Sequence, residues 1–322
     1  MAGAEPLIVG MRAEGPQRNA FVSKQVGTMS IERSAHRTIH RSVGSCLAGT
    51  FAAAGLALLG ANLAWAQNQG PAVAKVVPLH APDEKTIPGG PLGAAIRYGK
   101  NVLTDTQTCA RAYVGNGLNC SSCHLEAGRK AYASPWVGLW GVFPEYRSRN
   151  ASVNALQDRV NDCFERSMNG KPLPYESDEM RGILAYIWWL SKDVPTGATV
   201  MGRGFATVQA SRPADPKRGE MVYATRCAVC HGADGHGREG PNGEYLFPAL
   251  WGPRSFNIGA GMARVGNAAG FVKTNMPMGK DNMLNNNDAL DVAAYFTRQP
   301  RPDFAPKTRD WPKGDKPRDA PY

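Results

Sequence analysis

Two stretches of the chain carry a Cys-x-x-Cys-His pattern, the sequence signature of covalent haem c attachment. One contains Cys120, Cys123 and His124, and the other contains Cys227, Cys230 and His231. Two thiols three positions apart share one turn, so both can form thioethers with a porphyrin while the adjacent histidine ligates the iron. A zinc or redox Cys-x-x-Cys is the usual alternative for one copy. Two copies that both end in histidine predict two covalently bound haem c groups.

A haem-ligating histidine commonly donates its second ring N–H to a backbone carbonyl, which fixes the orientation of the ring. Pro135 lies downstream of His124, and Pro248 lies downstream of His231. These two prolines are therefore candidates to hold such a carbonyl.

The second iron ligand of the second haem is predicted in the segment 275–279, Asn-Met-Pro-Met-Gly. Small cytochromes c supply a methionine thioether from such a loop, and Met276 follows His231 by 45 residues (276 − 231). Methionine usually serves as flexible core filler, but a Met-Pro-Met-Gly turn is poor core sequence. We predict Met276 as the ligand, with Met278 and Lys273 as alternatives.

The first motif is not followed by a comparable methionine loop. Other residues that could ligate its iron are His80, Met168 and Met180. A better candidate stands at the end of a helical period formed by Val153, Leu156, Val160 and Cys163. This period places Cys163 on the inward face of a helix, with Arg159 beside it four residues earlier. A neighbouring guanidinium favours the thiolate, a strong donor to ferric iron; a structural buried cysteine and a disulfide with Cys109 are the alternatives.

The elements that must position these groups occur twice. Each half has an opening helix, a Cys-x-x-Cys-His motif, a long loop and a closing amphipathic helix. Opening helices are predicted at about 94–103 and 221–227, and closing helices at about 177–191 and 288–297. Ser177, followed by Asp178 and Glu179, is predicted to cap the first closing helix. The fold class is therefore mainly α, with two tandem class I-like cytochrome c domains, each around a covalent haem c.

The predicted boundaries follow shifts in composition. Domain 1, around the first haem, is placed at 82–195 and domain 2, around the second haem, at 213–300. The segment 196–212 between them is rich in glycine and proline and is predicted as a linker. Residues 67–81 form an N-terminal extension. The tail 301–322 alternates proline with charge and is predicted to lie extended over the surface.

Residues 1–66 are typical of an export signal. Arg33, Arg37 and Arg41 precede a charge-free stretch that ends in Ala64-Trp65-Ala66, a small-x-small cleavage pattern. We therefore predict a periplasmic protein that begins at Gln67 and has no stable membrane contact. The rival interpretation is an uncleaved anchor, since the apolar run is nearly long enough to span a bilayer.

Composition and net charge indicate which kinds of substrate and protein partner are expected. Hydrophobic residues make up 43% of the 322 residues, which is typical of globular domains. The formal charge is +10; residues 1–66 hold six Lys/Arg and three Asp/Glu, so their removal leaves +7 (10 − 3). No basic stripe or nucleic-acid motif is present, so nucleic acid is not an expected partner. An anionic substrate or an acidic redox protein fits this charge better.

Three stretches resemble the tetrathionate-forming thiosulfate dehydrogenases, a family of dihaem c-type cytochromes. They run from Tyr113 to Leu125, from Pro135 to Arg147 and from Asp158 to Gly170. The third is the most specific, because nothing in general haem folding requires it. The resemblance covers about residues 90–300 and is more generic over the second domain.

The resemblance implies a periplasmic enzyme whose first haem forms the active site. Its iron ligands would be His124 and Cys163, and Arg149 and Arg159 would act with Cys163 as the catalytic residues. One departure is Cys109, which is not part of the family pattern.

The second haem of this family passes electrons out and carries histidine with methionine or lysine, which here implies His231 with Met276. We therefore predict oxidation of two thiosulfate ions to tetrathionate, with electrons passing from haem 1 to haem 2. The external acceptor would be a small cytochrome c or a high-potential iron-sulfur protein. Alternatives are a non-enzymatic dihaem electron carrier, a tetrathionate reductase running the reverse reaction, and a subunit of a sulfur-oxidising complex.

Overall fold

The computed structural model describes residues 75–241 and 244–322. The predicted export signal at 1–66 and its Cys46 lie outside the described residues. All described residues belong to one compact unit. Along these residues no helix combines the length and the apolar character that crossing a membrane requires.

Helices dominate the described part of the chain. They are α1 Gly90–Thr104, α2 Thr106–Cys109, α3 Leu125–Gly128, α4 Leu156–Asp162, α5 Asp178–Ser191, α6 Pro216–Arg226, α7 Ala228–His231, α8 Val265–Asn275 and α9 Asn286–Thr297. A π-helical turn, Cys163–Ser167, continues α4. Short 3₁₀ turns occupy Glu84–Thr86, Arg111–Tyr113, Cys120–Ser122, Leu139–Val142, Gly261–Ala263 and Ala305–Arg309.

The strands are short and form three two-stranded sheets. They are β1 Val76–Val77, β2 Glu145–Arg147, β3 Ser152–Asn154, β4 Thr199–Val200, β5 Arg238–Glu239 and β6 Tyr245–Phe247. Strands β1 and β4 pair in parallel, whereas β2 pairs with β3 and β5 with β6 in antiparallel fashion. The mainly α class predicted from the sequence is therefore confirmed.

The opening and closing helices of each half cross at a glycine. Helix α1 packs on α5 where Gly99 meets Gly182: a Cβ on Gly99 would lie 1.8 Å from the Gly182 carbonyl oxygen. Helix α6 packs on α9 where Gly219 meets Asp291, and a Cβ on Gly219 would lie 2.0 Å from the Asp291 carbonyl oxygen. The absence of a side chain at Gly99 and Gly219 lets the backbones approach this closely. The two halves therefore repeat one packing device.

The predicted helices are present with small shifts at their ends. Ser177 caps α5, and its hydroxyl accepts a hydrogen bond from the Met180 N–H. The helix before Cys163 starts later than its apolar period, because Val153 lies on β3 with 66% of its surface exposed. The predicted inward face holds for Leu156, Val160 and Cys163, which line a common cavity, and is wrong for Val153.

The interior is continuous between the halves. A large core cluster surrounds α1 and α5, and a second surrounds α6, α8 and α9. A small cluster of Leu125, Ala133 and Phe271 includes residues from both halves, and Met262 packs against all three clusters. The two halves therefore share part of their apolar core.

The predicted linker packs against its neighbours. Strand β4 pairs with β1, while the carbonyl oxygens of Gly202 and Gly204 accept hydrogen bonds from the Tyr132 and Ser134 N–H groups. This contact has a functional consequence, described below, because Ser134 lies beside the first motif.

The C-terminal tail differs from the extended surface segment that its composition predicts. It contains the 3₁₀ turn at 305–309, and Phe304 and Trp311 are buried. Two hydrophobic side chains supply the anchoring energy, because burial of each removes a large apolar surface from water. The alternation of proline and charged residues in this segment gave no sign that these two side chains would be buried.

Asp291 joins the start of domain 2 to its closing helix. Its buried carboxylate accepts hydrogen bonds from the Arg212 guanidinium and, at 2.7 Å, from the Asp215 N–H. Burial alone would raise the pKa of Asp291, but these donors and the Arg218 charge outweigh it and hold the pKa below its usual value. Asp291 is therefore ionised in the folded protein at neutral pH.

We expect Asp291→Asn to lower the free energy of unfolding at pH 7 by about 2 kcal/mol, since hydrogen bonds to a charged group are lost. Because the folded pKa is depressed, the stabilisation is complete above the unfolded pKa and is lost as the pH falls through the folded value. Denaturant unfolding at neutral and acid pH measures this difference. Glu220→Gln, on the exposed side of α6, is the control; equal midpoints for both variants would contradict the prediction.

Candidate functional site

A cavity of about 300 Å³ lies beside the first motif and brings together most of the residues predicted for that site. Its lining includes Cys120, Cys123, His124, Arg159 and Cys163. Apolar side chains from α1 and α5 form part of its wall, among them Leu103, Ile183 and Ile187. Residues 40 or more positions apart in sequence therefore face one space.

The orientation of the His124 ring is fixed by a hydrogen bond from its Nδ1. Its Nδ1 lies 2.7 Å from the Ser134 carbonyl oxygen; since a carbonyl only accepts, Nδ1 carries the proton and Nε2 is left with a lone pair. Burial lowers the pKa of His124 to about 4, against the opposing effect of the Ser134 carbonyl. The neutral imidazole is the form that ligates a metal.

The acceptor of this hydrogen bond is Ser134, one residue before the predicted Pro135. Ser134 and Tyr132 both have positive φ angles, 50° and 58°. Their N–H groups donate to the carbonyl oxygens of Gly204 and Gly202. The linker between the halves therefore holds the carbonyl that orients His124.

The first thiol of this motif, Cys120, begins the 3₁₀ turn Cys120–Ser122, and the second, Cys123, directly follows that turn. The Cys120 N–H donates to the Thr106 hydroxyl at 3.1 Å, and the Thr106 hydroxyl lies 3.4 Å from Cys120 Sγ. Burial raises the pKa of both Cys120 and Cys123 to about 12. No disulfide joins any two of the six cysteines of the described residues, so Cys163 is not bonded to Cys109.

Cys163 and Arg159 form a pair one helical turn apart. The Arg159 Nη1 donates to Cys163 Sγ at 3.1 Å. The negative charge of the Cys163 thiolate raises the pKa of Arg159, an effect larger than the opposing burial. In its thiolate form, a sulfur that accepts a hydrogen bond from a guanidinium inside the cavity is able to bind iron or to react with sulfur.

Arg149 does not line this cavity. Its Nη1 donates to the Gly259 carbonyl oxygen at 2.6 Å, and its guanidinium lies 4.8 Å from the Trp311 ring centroid. Burial lowers the pKa of Arg149, and the nearby Arg166 lowers it further.

Sequence reasoning missed two other arginines that do line the cavity. Arg147 Nη1 lies 2.9 Å from a Glu145 carboxylate oxygen, and Arg203 Nη2 lies 3.8 Å from the other oxygen. Arg147 stands at the end of one of the family-like stretches, which is a signal that could have found it. Arg203 comes from the linker, and no local pattern marks it.

A second cavity of about 310 Å³ lies beside the second motif. Cys227, Cys230 and His231 line it, and His231 Nδ1 lies 2.8 Å from the Pro248 carbonyl oxygen, as predicted. Burial lowers the pKa of His231 and raises that of Cys227 to about 11.

The predicted methionine loop reaches this second cavity. Met276 and Met278 both line it, but Met276 packs into the core whereas Met278 is 70% exposed. Lys273 is engaged elsewhere: its Nζ donates to the carbonyl oxygens of Asn282 and Leu284. The arrangement favours Met276 among the three candidates.

One wall separates the two cavities. Leu118, Asn119 and Cys123 line both of them. The two spaces are therefore neighbours within one compact unit.

Haem c fits this donor set. Each cavity presents two thiols three residues apart and a buried neutral imidazole whose Nδ1 is occupied, which leaves Nε2 for iron. Each also has a soft sulfur donor, Cys163 in one and Met276 in the other. Fold and site together define a dihaem c-type cytochrome.

Comparisons with known proteins agree with this class. The family model described as SoxA/TsdA, cytochrome c domain, matches residues 110–196, and the cytochrome c model matches residues 216–298. The chain is 46% identical over 239 residues to a thiosulfate dehydrogenase of Psychrobacter arcticus, covering 74% of this chain and 73% of that one. Identity is 45% over 257 residues to the Allochromatium vinosum enzyme, covering 79% of this chain and 94% of that one.

A solved structure is similar as well. The thiosulfate dehydrogenase TsdBA of Marichromatium purpuratum matches with a TM-score of 0.68 and 39% identity over 70% of this chain. The present chain spans half the length of that one. The chain belongs to the thiosulfate dehydrogenase family, oxidoreductases built on cytochrome c domains, and carries two covalently bound haem c groups.

Proposed function

We propose that this protein oxidises two thiosulfate ions to tetrathionate in the periplasm and passes the electrons to an external acceptor. The observation that supports this most directly is the Arg159–Cys163 pair, which faces the same cavity as the first haem-binding motif. A sulfur–sulfur bond forms between the outer sulfur atoms of two thiosulfate ions, and two electrons leave. The periplasmic assignment rests on the export signal that the sequence predicts at 1–66.

The haem-binding residues have assigned places in this proposal. Cys120 and Cys123 carry the thioethers of the first haem, and His124 and Cys163 ligate its iron. In the second domain Cys227 and Cys230 carry the thioethers, and His231 and Met276 ligate the iron. When bound, each haem supplies a one-electron acceptor, so two of them match the two electrons of the reaction.

Cationic side chains offset the electrostatic repulsion between the two substrate ions. Two thiosulfate ions bring four negative charges together, and their repulsion is severe in a cleft of low dielectric constant. Arg159 places a guanidinium beside Cys163, and Arg147 and Arg203 add two more on the cavity lining. Forked hydrogen bonds from arginine suit the sulfonate oxygens of the substrate.

Arg149 belongs to the proposed catalytic set on electrostatic grounds. Its charge interacts with Asp162, the residue before Cys163. Its Nη1 donates to Gly259 and lies 3.7 Å from an Asp310 carboxylate oxygen, and its other guanidinium nitrogens make no hydrogen bond within the described residues. Arg149 can therefore attract an anion toward Cys163 without lining the cavity.

Cys163 is proposed to take part through its sulfur. The Cys163 thiolate can form a sulfur–sulfur bond with the outer sulfur of one thiosulfate as two electrons leave, while Arg159 holds the sulfonate end. The second thiosulfate then attacks that outer sulfur, so that tetrathionate is released and Cys163 returns to the thiolate. Both groups sit one helical turn apart, so a single helix end fixes their relation.

The second domain is the proposed exit for electrons. Since Leu118, Asn119 and Cys123 line both cavities, the distance between them is one side-chain layer. A small cytochrome c or a high-potential iron-sulfur protein is the proposed acceptor. Its surface would be acidic, to match the positive charge of this chain.

Met276 can be tested apart from turnover. We expect Met276→Ala to abolish the methionine-to-ferric-iron charge-transfer band near the red edge of the visible spectrum, because the half-buried Met276 thioether is the proposed ligand. Met278→Ala is the matched control and should retain the band, since Met278 is mostly exposed. Loss of the band in Met278→Ala instead would reverse the assignment.

The test of the function is thiosulfate-dependent reduction of ferricyanide by the purified dihaem protein, with the sulfur product identified. The reaction predicts one ferricyanide reduced per thiosulfate and tetrathionate as the product. Reduction of tetrathionate by dithionite-reduced protein, without the forward reaction, would indicate the reverse activity. The absence of a reaction in either direction would instead favour a non-enzymatic electron carrier or a subunit of a sulfur-oxidising complex.

A further inference from the structure

The turn that bears Cys163 is held from outside its own domain. The Asn257 side-chain amide donates to the Glu165 carbonyl oxygen at 2.9 Å, and the Asn257 N–H donates to the Arg166 carbonyl oxygen at 3.2 Å. Within the first domain itself, the Asn116 side-chain amide adds a bond to the Ser167 carbonyl oxygen at 2.8 Å. A π-helical turn has irregular backbone pairing, so these external donors help to define its shape.

The C-terminal tail makes the strongest contact with this turn. Arg166 Nη1 and Nη2 donate to the two carboxylate oxygens of Asp310 at 2.8 and 2.9 Å. The Arg166 guanidinium also lies 4.4 Å from the ring centroid of Phe304. The Asp310 side chain is only 4% exposed, so this forked pair is shielded from water and from salt.

The same tail segment holds Arg149. The Trp311 N–H donates to the Arg149 carbonyl oxygen at 2.7 Å, and the Arg149 guanidinium stacks on the Trp311 ring. Arg149 Nη1 lies 3.7 Å from an Asp310 oxygen, and the Tyr322 hydroxyl donates to that oxygen at 2.5 Å. One carboxylate from the last residues of the chain therefore meets two arginines of the first domain.

We propose that Asp310 is a positioning residue of the thiosulfate site, which holds Arg166 and Arg149 in place around the turn that bears Cys163. This inference rests on the proposed function for its kinetic part. The tail is then a strap that completes the first-domain site, although it follows the second domain in the chain.

Charge explains why a carboxylate is needed there. The positive charge of Arg166 repels both Arg149 and Arg159. Asp310 engages Arg166 with both oxygens and leaves Arg159 as the guanidinium that donates to Cys163 Sγ. An amide at position 310 offers one acceptor in place of two and no charge, so Arg166 loses this forked contact three residues from Cys163. Its remaining contacts are the 3.3 Å bond to Asp162 and the stacking on Phe304, which restrain it less.

The test compares Asp310→Asn with Asp310→Glu, which restores the charge, and with Asp303→Asn as the matched control. Asp303 lies on the same tail and pairs with Lys307 at the surface. Haem content and melting temperature establish that each variant folds. Tyr322→Phe removes only the hydroxyl bond to Asp310 and serves as a milder variant should Asp310→Asn fail to fold.

Two readouts separate positioning from general structure. We expect Asp310→Asn to lower kcat/KM for thiosulfate about tenfold or more, mainly through kcat, because small displacements of reacting groups are costly. We also expect faster hydrogen exchange in the peptide spanning 156–170, with the peptide spanning 216–231 unchanged. Asp310→Glu should recover part of both effects, and Asp303→Asn should show neither.

Each outcome has a defined meaning. Kinetics and exchange equal to those of Asp303→Asn would overturn the proposal. Faster exchange with unchanged kcat/KM would also overturn it, since Asp310 would then be structural only. If the parent protein does not oxidise thiosulfate, the proposed function fails, while the exchange comparison still decides whether the tail straps the Cys163 turn.

Discussion

Cys163→Ala is expected to lower thiosulfate-dependent electron transfer by about a thousandfold or more, the scale seen when a reacting nucleophile is removed. The Cys163 sulfur faces the first cavity and accepts a hydrogen bond from Arg159 at 3.1 Å. Alanine removes this sulfur, which is also the proposed iron ligand. Haem attachment should survive, because Cys120 and Cys123 carry the thioethers.

The measurement combines three assays on the same preparation. Ferricyanide reduction gives turnover, the pyridine haemochrome spectrum gives the number of haems, and the ferric absorption spectrum reports loss of thiolate ligation. Cys109→Ala is the matched control, because Cys109 is also a half-buried free thiol but does not line the cavity. We expect that variant to keep full activity.

The proposal for Cys163 fails if Cys163→Ala retains full turnover with two haems bound. A spectral change without a kinetic change would separate the two roles: the sulfur would ligate iron but take no part in the reaction. Cys163→Ser extends the test, since it keeps a polar atom at the same place but is a much weaker donor to iron.

Arg159→Gln is expected to lower kcat/KM for thiosulfate by about a hundredfold, because a charge-assisted forked contact to a dianion is lost inside a cavity of low dielectric constant. The glutamine side chain preserves polarity but carries no charge. The loss should appear in KM, through weaker substrate binding, and in kcat, through a less stabilised thiolate.

Arg159→Lys distinguishes charge from geometry. Lysine keeps the positive charge but cannot donate a fork, so we expect partial activity with KM recovered more than kcat. The control is Arg181→Gln on α5, where the guanidinium is 64% exposed and lies 3.6 Å from an Asp178 carboxylate oxygen. An Arg159→Gln variant as active as Arg181→Gln would remove Arg159 from the site.

Salt gives an independent check of the same electrostatics. Exposed charges are screened within about 8–10 Å at moderate ionic strength, whereas shielded pairs respond less. Attraction of thiosulfate by Arg147 and Arg203 at the lining should therefore weaken with salt, while the Arg159–Cys163 pair persists. We therefore expect KM for thiosulfate to rise with ionic strength in Arg159→Lys, as in the parent protein.

Local spacing determined much of this protein. Thiols three residues apart on one turn and an adjacent histidine are set by the chain itself, so the sequence predicted both haem-binding motifs. The Arg159–Cys163 contact is likewise an i,i+4 relation on one helix, and the opening and closing helices follow from apolar period and capping, as at Ser177. Each of these features depends on neighbours within one or two turns.

Tertiary structure alone decided the rest. The carbonyl that orients His124 belongs to Ser134, whose backbone is held by Gly204 of the linker. Arg203 reaches the first cavity from that linker, and Asp310 reaches Arg166 across 144 residues. Such contacts leave no periodic trace in the sequence, because they depend on how separate segments pack and on which buried charges then need a partner.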